Sequence, residues 1–545
     1  MKKLKYHFII VVTACISFSC SDLLVEQPKS DAAPELIFNS KNGISAALRN
    51  CYTIFTETGY KTANGVAGYG ITPAAGRACF LLTEVPADDC WIKNTNNNPR
   101  VTLDTYEFDN DNENIASLYF SYFIGIKDCN VLLKYLKTST VDDKAFIEQT
   151  TAEARAIRAF CYFSYVRLFG DGPILTEDIE FTELDNLKRK PAKDIYKLIV
   201  ADLNFAASKL PLRNTKEGAG RFSSAAAKAL LCEVYLTMAG RVYNDVKSNF
   251  DNMTQKDMYK KSADYADSVL VNTSVYSLYA HYKELFTVKG NNSKESILEA
   301  VSANNLYPAE ALPDVVNGYD YGKDPDTGIQ PFKGMFFRVD AATSNNVYLL
   351  KTLGRYTISP NLINAFETFP SDKRMQTYIY SFNNGFGNSS LKTYSTIKYA
   401  DSTVFARGLV DAAESRAHFK IIRLAHVMLM YAEAMNEYNN GPDTKAIAYM
   451  EAIRQRAGIT TSAIPTEYDN FRNEVWEERR KELYFEGYRW FDLVRTNRLK
   501  SQVENAKAGV NYSSTPLVQE KHYLFPIPAV AFRINPTLGV NNPNW

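Results

Sequence analysis

Glu478-Arg479-Arg480-Lys481-Glu482-Leu483-Tyr484-Phe485-Glu486-Gly487-Tyr488-Arg489-Trp490-Phe491-Asp492-Leu493-Val494-Arg495 sets nine charged side chains beside five aromatic ones. Glycoside cleavage needs two carboxylates at a set separation. Here Glu477, Glu478, Glu482 and Glu486 interleave with Arg479, Arg480, Lys481 and Arg489 at the spacing of helix neighbours, so ion pairing along a helix is the simpler expectation. Trp476, Leu483, Trp490 and Val494 recur at spacings of seven, seven and four, which puts them on one helical face and assigns both tryptophans to a core.

The same periodicity extends outward through the chain. Ile157, Cys161, Tyr165 and Leu168 repeat at three- and four-residue steps, as do Ala227, Leu231, Val234 and Met238, and Leu424, Val427, Tyr431 and Ala434. Small residues crowd these helices (Ala154, Ala156, Ala159, Ala225 to Ala227, Ala229, Ala432, Ala434), so neighbouring helices can approach closely. The pattern predicts a mostly α fold: a tetratricopeptide-like scaffold of degenerate helical hairpins with long loop-rich insertions and a few short strands. Two stretches interrupt it. Between about Tyr276 and Lys420 Gly, Asn, Pro, Ser and Tyr rise, with turn signals at Asn317-Gly318, Asp326-Thr327-Gly328 and Asn383 to Ser390, and a similar stretch runs from Thr58 to Tyr106. Long irregular insertions in a compact body commonly carry function.

Several blocks in one order carry a resemblance. Arg423-Leu424-Ala425-His426-Val427-Met428-Leu429-Met430-Tyr431-Ala432-Glu433-Ala434, Ile453 to Ile459, the 478–495 run, and Tyr523-Leu524-Phe525-Pro526-Ile527-Pro528 with Asn535-Pro536 closely resemble the SusD/RagB family of Bacteroidetes outer-membrane lipoproteins. Glu153 to Phe160, Arg167-Leu168-Phe169-Gly170 and Gly220-Arg221-Phe222 agree with it. The resemblance implies a non-catalytic protein that binds glycans at the cell surface and hands them to a SusC-like TonB-dependent transporter. Some relatives similar in fold bind peptides instead, so the resemblance does not fix the ligand.

The N-terminus fits that expectation. Lys2, Lys3 and Lys5 precede a short apolar stretch, His7 to Phe18, that ends at Ser19-Cys20. A membrane helix needs about 20 apolar residues, so this segment reads as a cleaved export signal, 1–19, with Cys20 as the lipid attachment site. Cys15 also follows small residues, but cleavage there leaves too short an apolar core. An ordinary cleaved signal releasing a soluble protein is the plainer alternative. Residues 20–40 then form the lipidated terminus and tether, and 41–545 one domain: a helical part 41–275, the loop-rich insertion 276–420, and a helical part 421–545. The expected location is the outer membrane, lipid-anchored and facing the exterior.

With 62 basic and 61 acidic residues the net charge is +1, which offers no field to nucleic acid. Cys129, Cys161 and Cys232 read as buried small hydrophobes, whereas Cys79 and Cys90 can pair in an exported protein. No metal or other cofactor is expected: Asp109 to Asn114 starts like a calcium loop, but Asn114 stands where glycine is required and Phe120 where the bidentate glutamate belongs.

For the ligand, Trp91 is the one tryptophan in a polar loop, flanked by Asp88, Asp89 and Asn94, with Asn96 to Asn98 beyond. An aromatic face beside carboxylates and amides suits a sugar, which has an apolar C–H face and a hydroxylated rim. The alternative role for Trp91 is a loop anchor packed on the body. A sugar face of about 60 Å² at ~25 cal/mol per Å² yields roughly 1.5 kcal/mol, and ~1 mM affinity needs about 4 kcal/mol. Further contacts are therefore expected, from Asp89 and Asn94 and from Tyr69, Tyr319 and Tyr321, with Phe332, Phe336 and Phe337 as weaker candidates. Peptide capture, a helical scaffold without a small ligand, and a secreted glycosidase are the competing functions; the missing isolated carboxylate pair argues against the last.

Overall fold

The computed structural model describes residues 37–55, 77–92, 99–176, 187–215, 218–240, 246, 250–301, 338–339, 350–351, 356–383, 392–396, 398, 418–460, 462–508 and 516–545. The principal helices are α1 (Lys41–Cys51), α2 (Arg77–Thr83), α3 (Glu113–Leu136), α4 (Lys144–Phe169), α5 (Ala192–Lys209), α6 (Ser224–Met238) and α7 (Gln255–Leu270). After the insertion come α10 (Leu424–Asn439), α11 (Thr444–Ala457), α12 (Tyr468–Leu483), α13 (Arg489–Arg495) and α14 (Leu499–Lys507); α8 (Pro360–Glu367) and α9 (Lys373–Tyr378) lie within it.

Polar caps start these helices where the sequence leaves the first amides unbonded. Asp143 accepts from the Phe146 amide at 3.0 Å and Ser223 from Ala226 at 3.1 Å, and Thr254 and Asp257 form a reciprocal capping box. The acidic run at 109–114 has the same purpose, since the Asn112 side chain caps α3 by accepting from the amides of Asn114 and Ile115.

Successive helices pack against one another, α3 on α4, α4 on α5, α5 on α6 and α6 on α7, and α7 then packs on α10, which contacts α11 and α12. The helical array is thus interrupted in sequence but not in space. Ala225, Ala226, Ala227 and Ala229 of α6 are fully buried, which is the close approach expected of small residues. Where the array is interrupted, β2 (Ser296–Ala300) pairs antiparallel with β6 (Phe419–Arg423), Ser296 opposite Arg423 and Ala300 opposite Phe419, closing the base of the insertion. Both strands are buried along their full length.

The structure corrects one expectation and adds detail to two others. The run through 484–488 is not one helix: α12 stops at Leu483, and Phe485 (φ 58°) and Gly487 (φ 87°) turn the chain before α13. Long-range cations take the final carbonyls of α12, Lys398 Nζ donating to the carbonyls of Glu482 and Tyr484 at 3.2 and 3.0 Å and Arg423 Nη2 to that of Glu482 at 2.8 Å. Those bonds satisfy acceptors that every helix end leaves open. Trp476 and Trp490, on two helices instead of one, are both buried. Within the insertion, described residues form α8, α9 and a hairpin of β4 (Ile379–Asn383) with β5 (Lys392–Thr396), in keeping with the few short strands expected and adding two short helices. Cys79, half-buried, and Cys90, buried, are free thiols, and desolvation pushes the Cys79 thiol up to about 12.

Candidate functional site: a tryptophan strand bolted to a buried ionic network

The charged run beginning at Glu478 is buried, and its partners come from across the chain. Arg423 donates to Glu482 at 2.6 Å, to Glu295 at 2.9 Å and to both oxygens of Glu486 at 2.8 Å. Arg374 bonds Glu478 at 2.6 Å and Glu482 at 3.0 Å while forking onto Asp372. Arg456 adds a bond to Glu482 at 2.6 Å. Burial opposes the charge of Glu482, but the Arg456, Arg423 and Arg374 guanidiniums outweigh it and hold the carboxyl well below its usual range. Helix-neighbour pairing persists at Arg480–Glu477 (3.6 Å) and Arg495–Asp492 (2.8 Å), but the described pairs of Glu478, Glu482 and Glu486 are tertiary ones. Insertion and C-terminal helices are locked together by this network.

Its other end holds the strand that carries Trp91. Arg489 forks onto Asp88 with two bonds of 2.7 Å, and Arg480 bonds Asp89 at 2.6 Å and Asn361 at 2.7 Å. Asp89 is fully buried, so its carboxylate is not offered to a ligand, which corrects its expected place on a sugar-binding rim. Arg480 takes one oxygen of Asp89, while burial first and then the neighbouring Asp88 charge push its carboxyl up to about 6 against the pull of Arg480 and Arg489.

Immediately after Asp89, β1 (Cys90–Ile92) pairs antiparallel with β3 (Tyr356–Ile358), with Trp91 opposite Thr357. The Trp91 indole N–H donates to the Ile358 carbonyl at 3.2 Å, the Thr357 hydroxyl donates to the Trp91 carbonyl at 3.2 Å, and the Ser359 amide donates to the Asp89 carbonyl at 2.9 Å. Trp91 is half-buried, and its indole N–H anchors the strand. The two loop-rich stretches of the sequence thus meet at this pairing. The sequence carries one signal for β3 that the helix-and-loop pattern hides: β-branched Thr357 and Ile358 run into Ser359-Pro360, a helix cap followed by proline at the first helical position. Asn94, Tyr69, Tyr319 and Tyr321, the asparagines 96–98, the phenylalanines 332, 336 and 337, and Cys20 lie outside the described residues.

Glu84 sits beside this bolt, its Oε1 accepting from the Gly487 amide at 2.6 Å. Burial first, then the charge of Asp89, push its carboxyl up to about 8, against the pull of the Gly487 amide, Lys398 and Arg489. A carboxyl whose folded pKa is raised stabilises the fold in its neutral form, so that stability is full below about pH 4.5 and is lost as pH rises towards 8. Glu84→Gln, neutral at every pH, is expected to remove this loss and gain several kcal/mol over the wild type between pH 5 and pH 8. Urea unfolding at both pH values checks it; parallel pH dependences of the two proteins contradict it.

The SusD family profile matches residues 371–545, and a profile described as starch-binding associating with outer membrane matches residues 71–236. The first covers most of the ionic network and the second contains β1. The chain belongs to the SusD/RagB family. It is similar to the SusD-like protein P2 of Formosa agariphila, at 24% identity over the whole of both chains. Its fold is that of a SusD homolog from Bacteroides thetaiotaomicron, at 20% identity and a TM-score of 0.73 over 94% of this chain and 98% of that one. A structure described as a laminarin binding SusD-like protein superposes with a TM-score of 0.69 at 23% identity, over 93% of this chain and all of that one. This SusD/RagB chain therefore shares with solved members a fold that spans nearly its whole length.

Proposed function

We propose that this protein captures oligosaccharides on the face where β1 meets β3 and delivers them to a SusC-like TonB-dependent transporter, held beside it in the outer membrane by lipid on Cys20. The observation that carries the reading is Trp91: half-buried, fixed by its indole N–H to Ile358, and set where the two loop-rich stretches join. This held, half-buried aromatic ring is the proposed platform for the C–H face of a sugar. Family relatives support the ligand class, since one solved member is named for laminarin binding and another as a surface glycan-binding protein of Bacteroides fluxus. Asn94, Tyr69, Tyr319 and Tyr321 are the proposed further contacts. Binding without catalysis is the proposed mode of action, supported by the burial of Glu478, Glu482 and Glu486 and their ion pairing to arginine or lysine.

Isothermal titration of the soluble form beginning at Ser21 against laminari-, malto- and xylo-oligosaccharides and a set of peptides tests this. Saturable heat with a glycan, and no reducing ends appearing over time, is expected. Heat with peptides alone moves the function to peptide import; heat with neither leaves a scaffold.

A further inference from the structure

We propose a second sugar subsite in the depression beside α9, resting on the glycan-capture reading above. The depression has a volume of about 420 Å³, within the range of about 300–1,000 Å³ typical of small-molecule sites. Its lining is two-sided. Phe369, Met375, Ile379 and Tyr394 contribute half-buried apolar surface, and Glu367 and Gln376 stand exposed beside them. That is the chemistry of a neutral pyranose, whose C–H face packs on rings and whose hydroxyls bond carboxylate and amide groups at the rim.

The floor is rigid before any ligand arrives. Asp372, which also lines the depression, is buried and forked onto Arg374, itself tied to Glu478 and Glu482. The Phe369 ring is held by Lys481 Nζ at 4.8 Å and by the Arg454 guanidinium at 5.5 Å from its centre. An anionic ligand gains nothing here, since the exposed charge on the lining is the Glu367 carboxylate and Asp372 is already neutralised.

The subsite is placed to extend the Trp91 site. Tyr394 lies on β5, β5 packs on β3, and β3 pairs with the strand of Trp91. One aromatic platform does not reach millimolar affinity by burial alone, so a second contact along one oligosaccharide supplies what the first lacks.

The test is titration with the panel oligosaccharide that gives the largest heat, at two and at six sugar units, into wild type, Tyr394→Ala, Tyr394→Phe and Gln376→Ala. For the six-unit chain, Tyr394→Ala is expected to weaken binding roughly ten-fold, Gln376→Ala several-fold, and Tyr394→Phe less than two-fold, with thermal unfolding unchanged. The gain in affinity from two to six units shrinks in Tyr394→Ala. Wild-type affinity in both alanine variants overturns the subsite and leaves glycan capture standing. Absence of heat from the wild type with every glycan overturns capture, and the subsite with it. Should Tyr394→Ala unfold, the exposed Gln376→Ala decides.

Discussion

Arg423→Met is expected to destabilise the protein by about 3–5 kcal/mol, measured by urea unfolding of the form beginning at Ser21. The guanidinium is buried and bonds Glu295, Glu482 and Glu486, as well as the carbonyl that ends α12. Methionine fills much of the volume but leaves three carboxylates facing one another with one cation fewer. Arg423→Lys keeps the charge and loses the planar fork, so it is expected to recover only part of the loss. Disrupting an exposed pair such as Lys260–Asp264, by contrast, is expected to leave no measurable change. A loss below about 1 kcal/mol in Arg423→Met would show that the network contributes little to stability.

Trp91→Ala is expected to weaken glycan binding roughly ten-fold, the equivalent of the ~1.5 kcal/mol that one sugar face yields. For a millimolar ligand that takes the heat below detection. Trp91→Phe separates the two roles of the side chain, because it keeps a ring and loses the N–H that bonds Ile358. A platform predicts that phenylalanine retains binding within a few-fold while its unfolding midpoint falls slightly. An anchor alone predicts that both variants lose stability and neither loses affinity.

The helical body was legible because its signal is local: the periodic apolar residues of α4, α6 and α10 are buried as their spacing requires. Cys129, Cys161 and Cys232 were legible for the same reason. The break after Leu483 was not, since the tryptophan spacing is satisfied equally by one helix and by two, and the choice falls to Lys398 and Arg423 far away in sequence. Asp89 misled in the same manner: beside Trp91 it reads as a polar rim, and its arginine partner lies 391 residues later. Trp91 itself stood out because the other three tryptophans sit in helical or terminal contexts, whereas its partner strand of three residues is too short to leave a period.

Intrinsic tryptophan fluorescence is the most direct test of the site. Trp476 and Trp490 are buried, and Trp545 is pinned by its N–H to the carbonyls of Lys521 and Leu524 at 2.9 and 3.0 Å, which leaves Trp91 as the reporter of a ligand on the β1–β3 face. Titrating the best-bound oligosaccharide is expected to give a saturable spectral shift in the wild type that disappears in Trp91→Phe. A shift that persists in Trp91→Phe, or saturable binding heat with no shift in the wild type, would place the glycan elsewhere and contradict the site.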